Sequence, residues 1–181
     1  FVVLCDCNGD GYADVVGSTT QHHIGGQAGP RGSLIIAQSG RDGTLLWQVE
    51  DAGVGLLCIG DVNNDDCEDI VCNGAILSGC DGNVIHPWSL GFATGYFNDY
   101  CRAGDVDGDG VDDFLISCSY NSAFLDQGAC VLISGATGMP LRTHLGVQAG
   151  DKLGQGLAGN FHADNDGVPD YAIRAARTVF W

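Results

Sequence analysis

Positive charge is what this chain has least of. Seven Lys and Arg stand against 23 Asp and Glu, for a formal charge of −16 over 181 residues. That balance excludes a nucleic-acid partner, because a phosphate backbone needs a basic surface. No apolar run is long enough to cross a bilayer as a helix, and no signal peptide is evident. Asn-x-Ser/Thr is absent, so N-glycosylation is not expected. The nine cysteines include no C-x-x-C pair, which removes the usual zinc and iron–sulfur spacings. There is no G-x-S-x-G and no nucleophile–base pair at a recognisable spacing, so no catalytic role is expected. No stretch of 10–12 residues carries the 3.6-residue apolar period of a helix.

What the chain does have is a short aspartate-rich loop, written four times: Asp6–Asp14, Asp61–Asp69, Asp105–Asp113 and His162–Asp170. Oxygen donors at positions 1, 3 and 5, a backbone carbonyl at 7 and a carboxylate at 9 would wrap one hard cation. Calcium is the natural candidate, since it takes 6–8 oxygens in irregular geometry. Loop one offers Asp6, Asn8, Asp10, the Tyr12 carbonyl and Asp14. Loop two offers Asp61, Asn63, Asp65, the Cys67 carbonyl and Asp69. Loop three has the fullest set, Asp105, Asp107, Asp109, the Val111 carbonyl and Asp113. Loop four offers Asp164, Asp166, the Val168 carbonyl and Asp170, but its first position falls on His162 or, with a bulge, on Asn160. A neutral imidazole is a poor calcium ligand, so loop four is expected to bind weakest. Three to four ions are expected, and four would reduce −16 to −8. An EF-hand is excluded, because its loop closes with Glu at position 12, where these loops have Gly17, Cys72, Ile116 and Ile173. Dissociation constants on the order of 0.1–1 mM follow from an extracellular setting.

That setting is read from cysteine, whose abundance in a short chain points to disulfides and an oxidising compartment. The odd count leaves a free thiol or a bridge to another chain; buried, reduced cysteine is the alternative.

Each loop runs into a short β-like stretch: Val15–Val16, Ile70–Cys72, Phe114–Ile116 and Tyr171–Ile173. Strand–glycine turn–strand patterns follow around Ser39–Gly43, Ser78–Gly82 and Ser134–Gly138. A further strand precedes each later loop. The closing aspartates recur at 55, 44 and 57 residues, giving approximate repeats 1–52, 53–96, 97–150 and a partial 151–181 within one domain. Four short strands per repeat predict an all-β chain of propeller blades.

Leu153-Gly154, Ala158-Gly159 and Asp164–Asp170 together resemble the FG-GAP repeat of integrin α-chain propellers. Asp105–Gly110 followed by Asp113–Ile116 is similar to VCBS-type repeats. The resemblance implies an extracellular β-propeller with calcium between two strands of each blade, serving in adhesion or assembly. About three and a third repeats fall short of the roughly four to eight blades that close a propeller. An open arc, a fragment of a longer chain, or completion by neighbouring copies is therefore expected. The chain opens inside a β-like run at Phe1–Leu4, as a processed or partial chain would. The expected role is a calcium-binding adhesive or structural subunit of a surface fibre or sheath, its partners being itself or other extracellular proteins and glycans. The alternatives are a lectin-like module using Phe92, Tyr96, Phe97 and Tyr100, and an accessory domain of a secreted enzyme.

Three other features invite a functional reading. Gly154-Gln155-Gly156-Leu157-Ala158-Gly159 matches G-x-G-x-x-G, but no helix follows it and a nucleotide site is not expected. His22-His23 is read as a surface pair. Trp47 and Trp88 are read as core.

Overall fold

The computed structural model describes residues 2–20, 33–50, 55–72, 74–88, 99–119 and 126–176. They fall into two compact units, Phe1–Pro87 and Trp88–Trp181. All regular structure among them is β: fourteen strands in four antiparallel sheets. No helix among them is long and apolar enough to cross a membrane.

The first unit holds two four-stranded meanders. One is β1 (Val2–Cys5), β2 (Asp14–Thr20), β3 (Ser33–Gln38) and β4 (Leu45–Glu50); the other is β5 (Leu57–Gly60), β6 (Asp69–Cys72), β7 (Ala75–Leu77) and β8 (Val84–Pro87). The second unit holds β9 (Asp99–Gly104), β10 (Asp113–Cys118), β11 (Ala129–Ile133) and β12 (Pro140–Leu145), followed by the pair β13 (Gly156–Phe161) and β14 (Asp170–Arg174). The strand expected after every aspartate loop is present as β2, β6, β10 and β14.

The repeats share their irregularities as well as their strands. In all three meanders the pairing of the last two strands slips by one residue at the same place. Ala37 pairs with Trp47 but Gln38 with Leu45; Ile76 with His86 but Leu77 with Val84; Leu132 with Arg142 but Ile133 with Pro140. A one-residue bulge of this kind bends the outer strand and increases its twist.

Burial falls from the middle of each sheet outward. Strands β6 and β10 are buried along their whole length, whereas β12 is almost wholly exposed. Val16, Ile35, Trp47, Ile70 and Leu77 form the core of the first unit; Ala103, Leu115, Cys130 and Leu132 form that of the second. Each fully buried aliphatic side chain contributes about 1.5–3 kcal/mol. Both described tryptophans are core residues, as expected. The Trp47 indole N–H donates to the Gly79 carbonyl at 2.5 Å, and Trp88 meets Phe114 edge-on at 6.4 Å.

The disulfide framework expected from nine cysteines reduces to one bridge, Cys67–Cys80. The other seven keep their thiols, and Cys5, Cys7, Cys72, Cys118 and Cys130 are buried. Cys130 packs in the core of the second unit as a small apolar residue would. The G-x-G-x-x-G segment lies on β13 and not at a helix start. Its last glycine is there for space: a Cβ on Gly159 would sit 2.3 Å from the Arg102 carbonyl oxygen.

Candidate metal centres

The four loops share one backbone conformation. Positions 4 and 6 are left-handed in every loop: Gly9 and Gly11, Asn64 and Asp66, Gly108 and Gly110, Asn165 and Gly167. Glycine takes this conformation without strain, and Asn and Asp tolerate it best among the rest. Position 6 of loop two is therefore Asp66 without cost to the design.

This conformation turns the loop amides inward onto the acids. Position 3 accepts the N–H of position 5, and position 5 accepts that of position 7, in all four loops. In loops one to three the first aspartate spans the loop with both oxygens. Asp6 accepts from Asp10 and Gly11, Asp61 from Asp65 and Asp66, and Asp105 from Asp109 and Gly110, all at 2.9–3.1 Å. Like-charged groups are thereby drawn together. One carboxylate oxygen from each of Asp105, Asp107 and Asp109 lies within 4.8 Å of the others. Clustered hard oxygens with lone pairs to spare fit a calcium-sized cation.

The closing aspartate works differently. Asp14, Asp69 and Asp113 are fully buried. One oxygen of each accepts the N–H of loop position 2, from Cys7, Val62 and Val106, at 2.8–2.9 Å. The other accepts the N–H of a glycine in the β3–β4, β7–β8 or β11–β12 turn, namely Gly40, Gly79 or Gly135, at 2.9–3.2 Å. Position 9 is thus first a staple between loop and turn, and in loop three the oxygen bonded to Val106 also accepts the Asp107 N–H at 3.3 Å. The turn glycine admits no side chain. A Cβ on Gly40, Gly79 or Gly135 would lie 1.9–2.0 Å from the carbonyl oxygen at loop position 8. Sequence reading missed this partner, because the glycine lies 26, 10 and 22 residues downstream. The repeated Ser-Gly of the turns was the available signal. In loop two the disulfide adds a covalent link between the same two segments.

Loop four departs where its sequence does. Phe161 pairs with Asp170 as Gly60 pairs with Asp69 and Gly104 with Asp113, so His162 holds the first position. The left-handed Asn160 forms the bulge before it. The imidazole Nδ1 of His162 lies 3.2 Å from the Val168 carbonyl oxygen. A carbonyl only accepts, so Nδ1 carries the proton. An N–H therefore occupies the oxygen that loops one to three leave for a cation. The loop half of the staple is present, with Ala163 N–H donating to Asp170 at 2.6 Å, although Asp170 is only half-buried.

Burial, reinforced by neighbouring carboxylates and opposed by the backbone N–H donors, pushes Asp69 and Asp113 up to about 6. Between pH 4 and 6 the folded, ion-free protein then holds more protons than the unfolded chain. Its stability falls as pH rises through that window and stays low above it. In EDTA, urea unfolding at pH 4.5 and 7 is expected to show this loss, on the order of 2 kcal/mol per group. Calcium, which needs the ionised acids, reverses the trend.

His22-His23 and Phe92, Tyr96 and Phe97 lie outside the described residues. His144, unassigned by sequence, bonds through Nε2 to the Tyr171 hydroxyl at 2.9 Å.

The chain matches no protein-family profile and no curated protein sequence. Its structure is similar to the crystal structure of the V. cholerae biofilm matrix protein Bap1, with a TM-score of 0.54 and 16% identity. The match covers 79% of this chain and 20% of Bap1, so the chain spans about a fifth of that protein's length. The likeness is one of fold.

Proposed function

We propose that this chain is an extracellular, calcium-stabilised repeat module of the FG-GAP and VCBS type, structural or adhesive in role and not catalytic. Its sheets would act as propeller blades, within a longer protein or completed by neighbouring copies. The observation that carries the reading is the convergence of oxygens in loops one to three on a repeated backbone conformation, shown by the Asp105, Asp107 and Asp109 cluster. Calcium there would neutralise the crowded acids and fix the corner between two strands. The disulfide favours an oxidising compartment. A matrix role is in keeping with the neighbour's being a biofilm matrix protein.

The test is an ion count. Calcium titration by calorimetry is expected to give three ions per chain, and four in His162→Asp, which replaces the N–H with a carboxylate. A count of zero would remove the calcium reading of the loops, and a count that stays at three in His162→Asp would remove the account of loop four.

A further inference from the structure

Between loops one and two lies a cluster with different chemistry. The Cys5 and Cys58 sulfurs and a Glu68 carboxylate oxygen all lie within 4.8 Å of one another. Cys5 and Cys7 are buried, whereas Cys58 and Glu68 are half-buried, which leaves a path from solvent. Glu68 is held in place: its Oε2 accepts the Asp6 N–H at 3.1 Å and the Cys58 S–H at 3.5 Å, and its own N–H donates to the Asp6 carbonyl.

The full repeat in the second unit holds an ion pair at the same place. Cys58 pairs with Ile70, the residue after a closing aspartate, and Arg102 pairs with Phe114, which occupies the same place. Glu68 and Asp112 both occupy loop position 8. In the third repeat these positions form an ion pair, with the Arg102 guanidinium 2.6 Å from Asp112. In the second repeat there is likewise a carboxylate, and the cation's place is taken by the Cys58 thiol with the Cys5 thiol beside it.

We propose that Cys5, Cys58 and Glu68 form a site for a borderline-soft divalent cation of the zinc type, with water completing the tetrahedron. Thiolates select such ions over calcium. Zinc–sulfur bonds of about 2.3 Å place tetrahedral ligands roughly 3.7 Å apart, which small side-chain movements reach from the observed spacing. Each coordinating thiol releases its proton to solvent on binding. The ion would take the Arg102 guanidinium's place as partner of the carboxylate, its two charges offset by the two protons the thiols release, and would join β1 to β5. The site stands whether or not the loops hold calcium.

Cadmium tests this on the full 181-residue chain with the Cys67–Cys80 bridge intact and the other cysteines as thiols. Excess calcium is present to fill the oxygen sites, which give no thiolate-to-cadmium charge-transfer band. One equivalent of cadmium is expected to produce that ultraviolet band. Cys58→Ser abolishes it, Cys101→Ser in the other unit leaves it unchanged, and Glu68→Gln weakens cadmium binding about tenfold or more. Glu68→Gln keeps the side chain's size and so serves even where Cys58→Ser does not fold. A missing band, a band that survives Cys58→Ser, or unchanged affinity in Glu68→Gln overturns the site. So does a Cys5–Cys58 disulfide in peptide maps of the non-reduced protein.

Discussion

Asp113→Ala is expected to cost the ion-free protein about 3–5 kcal/mol, because it leaves buried amides without acceptors at about 1–3 kcal/mol each. The donors are Val106 at 2.9 Å, Asp107 at 3.3 Å and Gly135 at 3.2 Å. Part of the loss is offset, since the variant no longer buries a carboxylate that would rather be protonated. The amides win because alanine offers none of them a partner and the site is closed to water. Stabilities of about 5–15 kcal/mol are usual for a domain, so such a loss brings the second unit near unfolding. Urea denaturation in EDTA measures it with the ion's contribution removed. Asp107→Ala is the informative contrast. It sits in the same loop but accepts one local amide near the surface, and in EDTA it is expected to cost no more than about 1 kcal/mol. Equal losses in the two variants would show that position 9 is a ligand like the others and not a staple.

Calcium itself is the second large effect. With dissociation constants of about 0.1–1 mM, about 10 mM calcium adds roughly 1.4–2.7 kcal/mol per site, or about 4–8 kcal/mol over three loops. The gain divides unevenly, since loops one and two lie in the unit Phe1–Pro87 and only loop three, of these, lies in Trp88–Trp181. Hydrogen exchange is therefore expected to slow more in β6 than in β10 when calcium replaces EDTA. Identical melting curves in calcium and EDTA would leave the acid clusters with no ion to hold.

The loops and the strands after them were legible in the sequence because both rest on local chemistry. Alternating Asp and Gly announce a turn that gathers oxygens, and Ile70–Cys72 or Phe114–Ile116 cannot be anything but a buried strand. The position of His162 in register, left open against Asn160, needed the pairing of Phe161 with Asp170. What stayed hidden depends on contacts between distant segments. Nothing near Asp69 tells that Gly79 will donate to it, and nothing in the spacing of Cys5 and Cys58 tells that their thiols will meet. The cysteines misled for the same reason. Their number speaks of compartment, but only folding decides which sulfurs meet, and among the described residues a single pair is bridged.

His162 shows that the two jobs of these corners are separable. Loop four has given up its leading carboxylate yet keeps the left-handed pair and the bond from Ala163 to Asp170. On the proposed calcium reading, a single substitution at the head of a loop would add or remove one mineral anchor at a time, while the strands on either side keep their pairing.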